Sequence, residues 1–219
     1  VGGIAFAQSQ DATMSAQDMN TLMEREKKRF AGAELGGKTL GVVGLGAIGS
    51  LVARMGLDFG MHVVGFDPAL SVEAAWRLPS DVKRMENVQS LVSRSDFVSL
   101  HLPVLNSTRG LVDADMLSHC KQGSCLLNFA REEIVSIDAV VSALNGGQLS
   151  RYVTDFPHPQ LLGRQDTLLM PHIGASTAEA EENCAVMAAN QLKAFLEHGN
   201  IRTSVHFPAV SDPHLTLPT

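Results

Sequence analysis

Apolar residues along the chain fall into short β-prone runs separated by segments with helical spacing. Runs at 39–43, 61–66, 96–100, 124–128, 151–155 and 167–170 predict strands. Helical spacing at about 47–59, 87–93, 113–119 and 136–145 predicts helices between them. This alternation predicts an α/β fold, a doubly wound parallel sheet with helices on both faces. Ser136 is placed to cap the helix that Asn145-Gly146-Gly147 ends. Ser176 with Glu179 has the spacing of a capping box. It predicts the start of the longest helix, running to about His198 and stopped by Gly199-Asn200. Residues 12–30 read as a charged helix with Met19, Leu22, Met23 and Phe30 as its sparse apolar side. Glu24 to Arg29 read as its solvated face, and 31–37 as a small-residue connector.

The first strand, 39–43, runs into Gly44-Leu45-Gly46-Ala47-Ile48-Gly49, a G-x-G-x-x-G turn that opens a helix. Gly44 permits the tight turn, Gly46 lets backbone approach a pyrophosphate, and Gly49 lets helix and strand pack closely. The helix N-terminus adds free N–H groups and the positive end of the helix dipole, with Ala47 and Ile48 in its first turn. The next strand ends on Asp67, 21 residues after Gly46 and close to the roughly 20-residue interval expected of a ribose-binding acid. A carboxylate there accepts from ribose hydroxyls and repels a 2′-phosphate. Pro68 follows, with no adjacent Arg, so NAD is favoured over NADP. Glycine turns alone are common. A structural βα turn and an S-adenosylmethionine site remain alternatives at this point.

Composition narrows the classes further. The chain has 219 residues, 45% of them hydrophobic and 18% charged, as expected of a soluble globular protein. A net charge of −6 offers no basic surface for nucleic acid. No apolar run approaches the roughly 18 residues of a membrane helix. Val1-Gly2-Gly3-Ile4 has neither an initiating Met nor a basic leader, which predicts a chain beginning inside a longer protein. Cys120, Cys125 and Cys184 lack metal-ligand spacing and read as reduced, packed thiols of a cytoplasmic protein, with no metal expected.

Three further strand ends carry chemistry. They are Ser99-Leu100-His101-Leu102-Pro103, Leu127-Asn128-Phe129-Ala130-Arg131, and Pro171-His172-Ile173-Gly174-Ala175-Ser176-Thr177. Taken in order, the glycine turn, the acid, H-x-P, N-x-x-R, D-F-P and P-H-I-G-x-S-T resemble the D-2-hydroxyacid dehydrogenase family. The likeness extends to Asn200-Ile201-Arg202 and Val205-His206-Phe207-Pro208. It covers about residues 32 to 208. The resemblance implies that Arg131 binds the carboxylate of a 2-hydroxy or 2-keto acid and that His172 is the acid/base. It implies that His101, Pro103, Phe129, Ala130 and Gly174 line the cofactor and that Asp155 contacts the nicotinamide carboxamide. It implies a homodimer or larger assembly. It also implies the domain plan: 1–36 a connecting segment from a substrate domain, 37–205 the NAD-binding domain, 206–219 a return segment and tail. The remaining histidines, His62, His119, His158, His198, His206 and His214, read as surface or packing residues. For Arg131 the plain alternative is a surface side chain paired with Glu132 or Glu133.

Two departures stand out. The family's glutamate beside the catalytic histidine falls two residues beyond F-P, where this chain has Pro159, which offers no carboxylate. The usual R-G-G reads Arg131-Glu132-Glu133, placing two acids beside the anion-binding Arg. Both bear on activity rather than on the fold. Three functions stay open: a dehydrogenase, another 2-hydroxyacid oxidoreductase or hydroxypyruvate reductase, and a non-catalytic dinucleotide-sensing protein.

Overall fold

The computed structural model describes residues 2–201. Its elements in chain order are α1 (Gly2–Gln8), α2 (Ala16–Glu26), β1 (Thr39–Val43), α3 (Ala47–Asp58), β2 (His62–Phe66) and α4 (Val72–Arg77). There follow β3 (Lys83–Arg84), α5 (Val88–Val92), β4 (Phe97–Leu100), α6 (Ala114–Ser118) and β5 (Ser124–Asn128). The last are α7 (Ile137–Asn145), β6 (Leu149–Thr154), β7 (Thr167–Leu169) and α8 (Ala178–His198). The seven strands form one sheet in the order β3-β2-β1-β4-β5-β6-β7. The pairs from β3 through β6 are parallel.

The strands are parallel because both their faces are apolar and covered. Val42, Val43, Val63, Val98, Leu100 and Leu126 are all essentially buried, the run of consecutive apolar positions that a sheet sandwiched by helices requires. Leu40, Val42 and Val63 pack with Ala53 of α3 and with Met61. Each fully buried Val or Leu stabilises the fold by roughly 1.5–3 kcal/mol. Tyr152 and Leu161 close the core on the β6 side.

Strand order reverses direction at β1. From there the chain builds outward through β2 and β3, then returns to add β4 on the other side. The register brings Val43 level with Phe66 and with Leu100, and Leu100 level with Asn128. Gly44, Asp67, His101 and Phe129 therefore leave neighbouring strands along one carboxyl edge, beside the point where the order reverses. That is where ligands gather in such sheets.

By its contacts the chain divides into two units. One comprises the chain up to Thr154 with His158–Leu168; the other comprises Asp155–Pro157 and the chain from Leu169. The return segment and tail, with His206 and His214, lie outside the described residues.

Four local features differ from the sequence reading. Residues 12–30 form a shorter helix, α2, continued by a 3₁₀ turn over Lys27–Phe30. An additional helix, α1, sets Phe6 against Phe30 at 5.2 Å between ring centroids. α4 and β3 fill the stretch between the second and third expected strands. Finally, the cap of α8 is Thr177, whose Oγ1 accepts from the N–H of Ala180 at 3.1 Å. The Ser176 N–H donates to Ile173 O in a preceding turn, so the helix starts one residue late for the Ser176–Glu179 box. Gly199 ends it in the left-handed region, as expected. Among the described residues no helix is long and apolar enough to cross a membrane.

Candidate functional site

In the first unit the site begins at the turn between β1 and α3. Gly44 has φ +90°, and a Cβ there would lie 2.3 Å from the carbonyl oxygen of His101. A Cβ on Gly49 would lie 1.9 Å from Gly44 O. Both positions are closed to any side chain, so turn, helix and β4 lie in close contact. Gly46 is different. Its φ of −67° is ordinary, and a Cβ there meets no atom of the described residues within 4 Å. Glycine at 46 therefore keeps open the space over the start of α3. Gly46 is also the helix N-cap and supplies no side-chain cap, which leaves first-turn N–H groups and the positive dipole end for an anion.

Asp67 is fixed against this turn. Its Oδ2 accepts from the Leu45 N–H and its Oδ1 from the Ala69 N–H, both at 2.9 Å. Asp67 lines a cavity of about 620 Å³ with Leu45, Gly65, Leu70, Trp76 and Arg84. The sequence reading found no Arg adjacent to Asp67. In the fold Arg84 reaches the same cavity from β3, where it stands opposite Gly65. A two-residue strand leaves no periodic signal by which that neighbour is found.

A second cavity, of about 300 Å³, is lined by Ile48, His101, Pro103, Phe129, Ala130 and Arg131. Six residues singled out from three separate stretches of sequence thus meet at one place. The His101 Nε2 lies 2.9 Å from Ser99 Oγ, and burial holds its pKa below the ordinary imidazole value. The loop bearing Arg131 is shaped by Asn128, which is fully buried. Its Oδ1 accepts from the Ala130 N–H at 3.1 Å and its Nδ2 donates to Arg131 O at 3.0 Å. The N-x-x-R spacing is therefore a turn held by an Asn side chain. Arg131 is an exposed residue, and its guanidinium donates to Ala130 O at 2.6 Å. Among the described residues no ion pair ties it to Glu132 or Glu133.

In the second unit His172 and Asp155 meet. His172 Nδ1 lies 3.1 Å from Asp155 Oδ2, with the carboxylate largely covered and the imidazole half exposed. Phe156 packs against the imidazole at 4.9 Å between centroids, tilted by 41°. Asp155 Oδ1 is buried with no hydrogen-bond partner among the described residues. Pro159 offers no carboxylate, and the one beside His172 comes from Asp155. Pro159 instead opens a 3₁₀ turn, Pro159–Leu161, a first-turn position to which proline is suited. His158 caps that turn by accepting from the Gln160 N–H. Gly174 lies between His172 and the start of α8, with open space at its Cα.

The thiols divide. Cys120 and Cys125 are buried, and burial pushes both up to about 11. Cys184 is exposed rather than packed. Among the described residues no three His, Cys, Asp or Glu side chains gather as a metal site.

Residues 4–174 match the family model for the D-isomer specific 2-hydroxyacid dehydrogenase, NAD binding domain. The match starts within the stretch read as a connecting segment and stops short of α8. Among relatives, D-3-phosphoglycerate dehydrogenase of Methanocaldococcus jannaschii is 32% identical over 198 residues, 88% of this chain and 37% of that protein. The Homo sapiens protein of the same name is 37% identical over 172 residues, 76% of this chain and 32% of that one. The chain thus spans less than half the length of these relatives. Among solved structures, the holo form of Rhodotorula graminis D-mandelate dehydrogenase superposes with a TM-score of 0.75 at 26% identity, covering 95% of this chain and 62% of that one. D-lactate dehydrogenase from Aquifex aeolicus, complexed with NAD and lactic acid, gives 0.65 at 26% identity, covering 80% and 61%. The chain belongs to the D-isomer specific 2-hydroxyacid dehydrogenases, matching their NAD-binding domain.

Proposed function

We propose that this chain binds NAD at the β1–α3 turn and serves the oxidation of a D-2-hydroxy acid. The substrate closest to its relatives' chemistry is 3-phosphoglycerate, oxidised to 3-phosphohydroxypyruvate in serine biosynthesis. The observation that carries this reading is Gly46, where space is kept open over an uncapped helix N-terminus beside Asp67. The residues present fit a dinucleotide. Backbone N–H groups at Ala47 and Ile48 would hold a pyrophosphate, and Asp67 would accept from ribose hydroxyls. His101, Pro103, Phe129 and Ala130 would line the cofactor, and in the second unit the buried Asp155 Oδ1 is an acceptor that would suit a carboxamide N–H. When bound, NAD supplies the hydride acceptor.

The chain's own residues do the rest. Arg131 holds the substrate carboxylate with a guanidinium fork, which matches a carboxylate in two parallel hydrogen bonds. His172 takes the hydroxyl proton at Nε2 during oxidation and returns it during reduction. Asp155 beside His172 supports the catalytic reading over a purely sensing one, which rests on Pro159. Activity toward 3-phosphohydroxypyruvate, hydroxypyruvate and glyoxylate, compared in Arg131→Ala and wild type within a full-length protein that includes the substrate domain, tests the assignment. Arg131→Ala should lower kcat/KM for the acid substrate at least about tenfold, ~1.4 kcal/mol. NADH affinity should hold. Unchanged kcat/KM would mean that another residue binds the carboxylate.

A further inference from the structure

The pair formed by His172 and Asp155 has a specific consequence. An ionised carboxylate can only accept hydrogen bonds. At 3.1 Å from Asp155 Oδ2, His172 Nδ1 must therefore carry the ring proton when the imidazole is neutral. This leaves Nε2 with its lone pair free, the atom that a general base requires. Phe156 packs on the ring and limits its rotation. Asp155 is itself fixed, since it directly follows the last residue of β6 and its carboxylate is largely covered. Pro159 has no group to do this work. From these contacts we infer that Asp155 is the positioning residue for His172, replacing the carboxylate that Pro159 lacks and setting the tautomer and orientation of the ring. The inference rests on His172 being the acid/base of the proposed reaction.

Imidazole ¹⁵N NMR of the whole chain tests it without turnover. Spectra taken at about pH 9, well above the ordinary imidazole range near 6.5, should show His172 predominantly protonated at Nδ1. Asp155→Ala should shift it to predominantly Nε2-protonated. Asp155→Glu should restore much of the wild-type pattern. His172 protonated mainly at Nε2 in the wild type, or unchanged in Asp155→Ala, overturns the inference. The wild-type spectrum alone decides the matter if a variant fails to fold. NADH titration on the same samples separates the two ideas. If the tautomer behaves as stated but NADH does not bind, the pairing stands and the dehydrogenase reading fails.

Discussion

Each Asp67 carboxylate oxygen accepts one hydrogen bond from a backbone N–H, and Asp67 lines a cavity that Arg84 also lines. In the proposed site, opposed charges in one cavity bear on the choice between dinucleotides. The carboxylate favours ribose hydroxyls, while the guanidinium attracts a 2′-phosphate. Because Asp67 lies directly against the turn, NADH should bind at least about tenfold tighter than NADPH, ~1.4 kcal/mol. Asp67→Asn should narrow that gap, and Arg84→Ala should widen it by weakening NADPH alone. Equal affinities in the wild type, read by fluorescence titration, would remove Asp67 from its role. His101 makes a second residue-level prediction. Burial disfavours its charged form, so its pKa in the fold lies below the ordinary 6.5. Between those values the unfolded chain binds the proton more readily than the folded one. The stability conferred is therefore full above 6.5 and is lost as the pH falls below it. Urea unfolding midpoints at about pH 7.5 and about pH 5.5 should differ in the wild type. The difference should shrink in His101→Gln, and an equal pH dependence in the two proteins would show that other groups cause it.

Elements long enough to show their period were legible from sequence. The strands at 39–43 and 124–128 have the expected ends, and α3 and α7 lie within a residue of theirs. What was missed was short or showed no apolar face. β3 has two residues, and α4 leaves its apolar Val72 and Trp76 exposed, whereas α5 and α6, no longer than α4, bury theirs and so show an apolar face. α1 is rich in small residues and buries none of them fully, so it presents no apolar stripe to read. The cap of α8 was misplaced because two adjacent hydroxyl residues compete and Glu179 favours the wrong one. The local turn that engages the Ser176 backbone settles the choice. Thr177→Ala should accordingly destabilise the first turn of α8 by about 1 kcal/mol. Ser176→Ala should change it by a few tenths at most. Amide hydrogen exchange at Glu179–Glu182 measures both, and equal effects would contradict the assigned cap.

At the scale of the molecule, the register of the parallel sheet turns scattered motifs into a site. Ile48, His101 and the stretch from Phe129 to Arg131 are far apart in sequence, yet strand ends that finish level bring them round one cavity. That convergence was legible because each motif closes a predicted strand. Arg84 and the Asp155–His172 pair were not, because they depend on which strands are neighbours and on where a loop returns. The central claim is that the β1–α3 turn holds a dinucleotide, and Gly46 tests it with least disturbance to the fold. Its φ is ordinary and no atom of the described residues lies within 4 Å of its missing Cβ. Gly46→Val should therefore melt close to the wild type. The same side chain would fill the space proposed for the pyrophosphate. NADH titration of the two proteins, with thermal melting as the control for folding, should show saturable binding in the wild type and its loss in Gly46→Val. Undiminished NADH affinity in a folded Gly46→Val protein, or no saturable binding in the wild type, would contradict the account.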